Sequence, residues 1–256
     1  MKYQNFFLTV AFVLLFNLAT ACSPATVNPP TETVTVTPIP ATPTKTPKPT
    51  LTPRPTRTPN VALTQSYDDL FSEVQKFNDE GIIPSTNGMY RSLDDYANTF
   101  AQIGWLQYDY FDFTVKHFVY KAHVRWSTSG DTNEISGCGI VFGVNEKKDT
   151  NDYYGVVLDK SRIFFSYSDG MYYYDLGKSR GTGKLSFGNP AEADLTLLVY
   201  DYKAYVYVDD EFIGEYTLKK DMELKGKFGY GIISGTNRDY GTRCEIENSR
   251  IWILSK

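Results

Sequence analysis

Histidine and cysteine are scarce in this chain: two and three, respectively, among 256 residues. His117 and His123 stand six residues apart, about 20 Å along an extended strand, so they cannot share one metal ion. Neither sits in a Ser/His/Asp grouping, and no metal-ligand spacing is present, so the sequence assigns no catalytic residue and no metal ligand. A basic excess is also lacking. The net charge is −4, and residues 61–256 alone carry 21 basic and 29 acidic side chains, a net of −8. An acidic domain with no basic stripe argues against a nucleic-acid partner. Long apolar runs are missing too. The longest, Phe6–Leu18, is too short for a hydrocarbon core of about 30 Å and reads as the apolar part of an export signal. Proline is nearly absent beyond residue 60, where only Pro84 and Pro190 occur.

What is there divides the chain into three. Residues 1–22 read as a signal peptide, with Lys2 ahead of the apolar stretch and Leu18-Ala19-Thr20-Ala21-Cys22 at its end. Small residues before a cysteine resemble the bacterial lipobox, although Ala19 holds the place usual for leucine. The resemblance implies that Cys22 is lipidated; ordinary cleavage after Ala21, leaving a free thiol, is the alternative. Residues 23–60 contain 11 of the 13 prolines and 12 threonines, a composition that favours polyproline II over a core. At about 3.1 Å per residue such a stalk reaches on the order of 100 Å. The expected location is therefore the cell surface, extracytoplasmic, with the lipid anchor as the only membrane contact.

With Cys22 used, Cys138 and Cys244 remain. An oxidising compartment permits one bridge between them, with two buried thiols as the alternative. Closing a loop of more than 100 residues would stabilise by roughly 4–5 kcal/mol in the chain-entropy model.

Residues 61–256 read as one folded domain. Tyr67, Leu70, Phe71, Val74 and Phe77 recur at helical spacing, which predicts an amphipathic helix over 65–80 with Ser66 as N-cap and Gly81 as its stop. Strand signals follow at 88–93, 100–108, 118–126, 138–143, 153–159, 162–167, 172–176, 195–200, 204–208, 212–218, 228–233 and 243–254, separated by turn residues. Asp169-Gly170 marks a hairpin. The run Ser136–Gly143 has no polar parity, so it reads as a central strand buried on both faces, with glycines where a neighbouring backbone comes close. Together these predict an all-β, two-sheet antiparallel jelly-roll sandwich with one N-terminal helix.

The succession Gly139-Ile140-Val141-Phe142, Asp152–Leu158, Leu197–Tyr200, Ala204–Asp209, Gly229–Gly235 and a last strand holding Trp252 resembles the concanavalin A-like lectin/glucanase sandwich, in particular its laminin-G-like and 3-keto-disaccharide hydrolase-like domains. The resemblance covers about residues 98–256 and implies a fold that hosts lectins, glycosidases and adhesion modules. Glucanases of this fold usually show Glu-x-Asp-x-x-Glu, which is absent here. Glu245-Ile246-Glu247 comes nearest and reads as a solvated strand face. No paired-carboxylate, triad or metal-catalytic motif supports an enzyme.

The 20 tyrosines and 16 phenylalanines are the richest feature. Tyr153, Tyr154 and Tyr172–Tyr174 occupy both parities of neighbouring strands, so some rings must leave the core, and exposed aromatics mark binding surfaces. Tyr153, Tyr154 and Tyr173, with His123 and Arg125 from a wet strand face, are the candidate ligand contacts. No cofactor is called for; calcium is an option at the loops Asp131–Glu134 and Asp149–Asp152. The leading expectation is a surface-anchored, non-catalytic, lectin-like domain that binds a glycan or other extracellular ligand. A divergent glycoside hydrolase and an adhesion or assembly module are the alternatives.

Overall fold

A computed structural model describes residues 61–255 except 131, 146–151, 161, 171 and 178–184. The signal, Cys22, the stalk, Asp131, Asp149 and Asn151 lie outside the described residues.

Helix α1 spans Val61–Asp79. It starts earlier than the periodicity suggests, and Ser66 is no cap. Its hydroxyl instead meets the Tyr90 hydroxyl at 3.0 Å and accepts from Arg250 at 3.4 Å. The stop is as expected. Gly81 has φ +71°, its N–H donates to the Asn78 carbonyl, and Ile82 N–H donates to the Phe77 carbonyl, the paired bonds of a left-handed C-terminal cap.

Thirteen strands follow: β1 (Gly88–Ser92), β2 (Tyr96–Phe100), β3 (Trp105–Val115), β4 (Phe118–Thr128), β5 (Gly137–Asn145), β6 (Asp152–Asp159), β7 (Arg162–Ser168), β8 (Tyr173–Asp175), β9 (Ala191–Tyr200), β10 (Lys203–Val208), β11 (Glu211–Thr217), β12 (Gly226–Ser234) and β13 (Thr242–Leu254). The named strands pair antiparallel throughout, in two sheets. One runs β1-β13-β4-β9-β10-β11, with β2 on β13 as well; the other runs β3-β12-β5-β6-β7-β8. The chain is a jelly-roll sandwich with one helix, as the strand pattern predicts. The expected 100–108 strand is in fact two pieces, broken at Gly104, whose φ is +75°. Two hairpins turn on acidic and aromatic residues held at positive φ, Asp201-Tyr202 and Asp209-Asp210, the geometry that matches strand twist.

The main core lies between the sheets. Phe118, Tyr120, Val124, Ile140, Phe142, Tyr154, Val156, Phe165, Leu195, Phe228 and Ile246 meet there. Cys138 of β5 and Cys244 of β13, both fully buried, join in a disulfide with Cα atoms 5.3 Å apart. It ties one sheet to the other through the core. β5 is buried on both faces as expected; a Cβ on Gly139 would collide with the Val156 carbonyl of β6.

Each sheet also has an outer face. On the seven-stranded sheet, α1 covers half of it, packing Leu70, Val74 and Phe77 on Val119, Leu198, Tyr207, Trp252 and Leu254. Lys121 fastens the helix rim, donating to Glu73 at 3.2 Å and Asp210 at 2.8 Å. Burial pulls the Lys121 ammonium down, but hydrogen bonds and charge from Asp210 and Glu73 outweigh it, and the net shift is upward. The other half of that face is open.

Candidate functional site

The tyrosines come first, since sequence alone places them at the ligand surface. Tyr153 and Tyr154 alternate on β6, so they point to opposite faces. Tyr154 points inward. It is fully buried in the main core, stacked on Phe142 with centroids 5.2 Å apart, and its hydroxyl accepts from Lys219 N–H at 3.0 Å. The expectation that it contacts ligand is corrected by that parity.

Tyr153 and Tyr173 point outward from the six-stranded sheet, but they do not form an open platform. A flat sheet of six strands would hold β3 and β8 about 24 Å apart. Here the Tyr173 hydroxyl of β8 accepts from Leu106 N–H of β3 at 3.3 Å. The sheet is therefore curled until one tyrosine spans from edge to edge. Tyr153 donates to Tyr173 at 3.1 Å, and the Tyr108 and Tyr153 rings lie 4.9 Å apart over a floor of Val141, Val157, Phe164 and Ile233. The hollow is filled by its own rings. Tyr153 is only 4% exposed, and burial, then its bond to Tyr173, drives its phenol well above the ordinary range. The bond to Leu106 also caps a free N–H on an edge strand.

The charged candidates lie elsewhere, on the open half of the seven-stranded sheet. Along β4 the outward positions run Val119, Lys121, His123, Arg125, Ser127. The first is under α1, the second is at its rim, and the rest are clear of it. β13 lies beside β4, with Glu245 opposite Arg125 and Glu247 opposite His123; β9 lies on the other side, with Glu192 opposite Arg125 and Asp194 opposite His123. Opposed charges across strands attract. Arg125 pairs with Glu247 and lies 3.6 Å from Glu245. His123 Nδ1 is 2.8 Å from Asp194, and its Nε2 is 3.8 Å from Glu192.

Past this lattice the face opens into a cleft of about 440 Å³ lined by Arg125, Ser127, Pro190, Glu192, Arg243 and Glu245, among others. A neighbouring hollow of about 320 Å³, lined by Ala97, Asn98 and Thr99, shares Arg243 and Glu245 with it. Asn189 shapes the far wall. Its side-chain amide accepts from Thr128 N–H at 2.9 Å and donates to Thr128 C=O at 2.8 Å, copying a strand neighbour and fixing the chain into Pro190. The guanidinium carbon of Arg243 lies over the Tyr240 ring, 4.9 Å from its centroid.

The five expected contacts thus divide. Tyr153 and Tyr173 share one face, His123 and Arg125 share the opposite face, and Tyr154 is between them in the core. Glu192, Arg243 and Tyr240 are not singled out by sequence reasoning. The only trace they leave is that Arg243, Glu245 and Glu247 share one parity beside a cysteine. Among the described residues no three His, Cys, Asp or Glu side chains gather to hold a metal.

No protein-family model and no curated protein matches the chain. Solved structures are similar in shape. A carbohydrate-binding module, CBM66, from Bacillus subtilis aligns with TM-score 0.44 at 9% identity, over 64% of this chain and 96% of that one. The β-glucanase of Bacillus licheniformis aligns with 0.38 at 11%, over 66% and 94%. Sheep galectin-11 aligns with 0.33 at 14%, over 52% and 93%. At these values the likeness transfers no residue role to this chain.

Proposed function

We propose that the chain is a surface-anchored lipoprotein whose folded part is a lectin-like module, and that it binds carbohydrate in the cleft beside Arg125. One observation carries the reading: Arg125, Glu192, Arg243 and Glu245 line a single cleft of about 440 Å³, within the usual range of ligand sites, roughly 300–1,000 Å³. Sugar hydroxyls both donate and accept. Arginine supplies donors in a planar fork and glutamate supplies paired acceptors, so the two together can hold neighbouring hydroxyls.

Hydrolysis would need two carboxyl groups facing each other across a sugar, about 5–10 Å apart. Glu245 and Glu247 both turn to Arg125 on one sheet face, so that pair does not face across a sugar; Glu192 and Glu245, on the strands either side of Arg125, keep a divergent glycoside hydrolase as the second reading. The anchor rests on Cys22 and the proline-rich stalk; replacing Cys22 with Ser is expected to release the protein from the membrane fraction.

The test is a screen of the full chain against a diverse glycan array, with and without calcium. Binding that Arg125→Ala abolishes, with the circular dichroism unchanged, is the expected result. Absence of binding across the array contradicts the proposal.

A further inference from the structure

The cleft's charges are not all matched. Arg125 is engaged by Glu245 and Glu247, and Asp194 and Glu192 flank His123. Arg243 differs. Among the described residues no carboxylate lies within ion-pair distance of it, and its contact is the Tyr240 ring at 4.9 Å. A guanidinium with no carboxylate partner keeps a planar fork of N–H donors to offer, which makes arginine suited to planar, forked anions. Arg243 also lines both the 440 Å³ cleft and the 320 Å³ hollow beside it, so a ligand in either one meets it.

We infer that Arg243, set over the Tyr240 ring, reads a carboxylate on the bound sugar, so that the ligand is an acidic glycan of the hexuronate class. This rests on the carbohydrate reading of the cleft. The charged side chains lining the cleft are two arginines, Arg125 and Arg243, and two glutamates, Glu192 and Glu245, so the lining carries no net negative charge to repel such a ligand. A lysine would serve less well here, since a point charge cannot match both oxygens of a carboxylate.

The experiment is calorimetric titration of the full chain with α- and β-linked hexuronate oligosaccharides, each beside its methyl ester, in which sugar and linkage are kept and the charge is removed. Sulfated neutral oligosaccharides form a further arm. The acid is expected to bind at least about tenfold tighter than its ester, roughly 1.4 kcal/mol, and to weaken as salt rises. Arg243→Gln should remove the discrimination, so that acid and ester bind alike. Arg243→Lys should retain part of it, and Tyr240→Ala should reduce it. Arg243 is exposed, so these variants should fold normally. Equal binding of acid and ester, discrimination that survives Arg243→Gln, or a preference for the sulfated arm each overturns the inference. If neutral glycans alone bind at the cleft, the carboxylate reading falls and the carbohydrate reading stands. If no glycan binds, both fall.

Discussion

At the scale of single residues, burial decides what the tyrosines do. Tyr153 closes the hollow of the six-stranded sheet from within, 4% exposed and in contact with Tyr108 and Tyr173. Tyr153→Ala should therefore cost about 3–5 kcal/mol in a denaturant titration and leave glycan affinity unchanged; a loss of affinity with stability intact would return Tyr153 to the ligand surface. The phenols also set an alkaline limit. Tyr96 is pushed from about 10 to about 12 by burial and the nearby Asp109 charge, against a hydrogen bond from Asn98, and Tyr207 to about 12 by burial and the charges of Glu80 and Glu73. The fold favours the neutral phenol, so this stabilisation is complete below pH 10 and is lost as the pH rises through 12. Denaturation midpoints should change little from pH 7 to 9 for this reason and fall between 10 and 12, in step with ultraviolet phenolate absorbance. Sequence reading could not sort these rings, because tyrosine stands at both parities of β6 and β8 and suits either a wet or a buried place.

Among the elements, the strands were the most legible. Alternation along β4 and the unbroken apolar run of β5 report their surroundings directly, and the observed pairing follows from them. The start of α1 is not legible in the same way, since a serine near a helix end can be drawn away by other partners, here Tyr90 and Arg250. The cleft was hidden for another reason. It is assembled from β4, β9 and β13, and the register that sets Glu245 beside Arg125 joins positions 120 apart in the chain. Nothing local encodes that neighbour. The helix is a packed element rather than an accessory. Leu70 is fully buried between α1 and the sheet, so Leu70→Ala should cost about 2–5 kcal/mol. Native-state hydrogen exchange should then show the α1 amides opening before those of β4; opening of both together would mean that the helix and sheet unfold as one unit.

For the molecule as a whole, the Cys138–Cys244 bridge sets how far the two sheets can part. It closes 106 residues of sequence separation. The paired substitution Cys138→Ala with Cys244→Ala should lower unfolding stability by roughly 4–5 kcal/mol in the chain-entropy model, seen as a shifted midpoint that matches wild type under reductant. An unshifted midpoint would mean the sheets are held by packing alone. The bridge lies beneath the cleft, since Cys244 sits between Arg243 and Glu245 on β13, and its core position holds those outward neighbours in register. The central claim is that carbohydrate binds on this open half of the seven-stranded sheet. The most direct measurement is a nuclear magnetic resonance titration of the full chain with an oligosaccharide identified on the array, following the arginine side-chain N–H signals and the backbone amides. The account predicts saturable shifts at Arg125, Arg243 and the amides of 191–192 and 243–245, with Tyr153 and Tyr173 unmoved. Saturable shifts gathered on the six-stranded sheet around Tyr153 would contradict it.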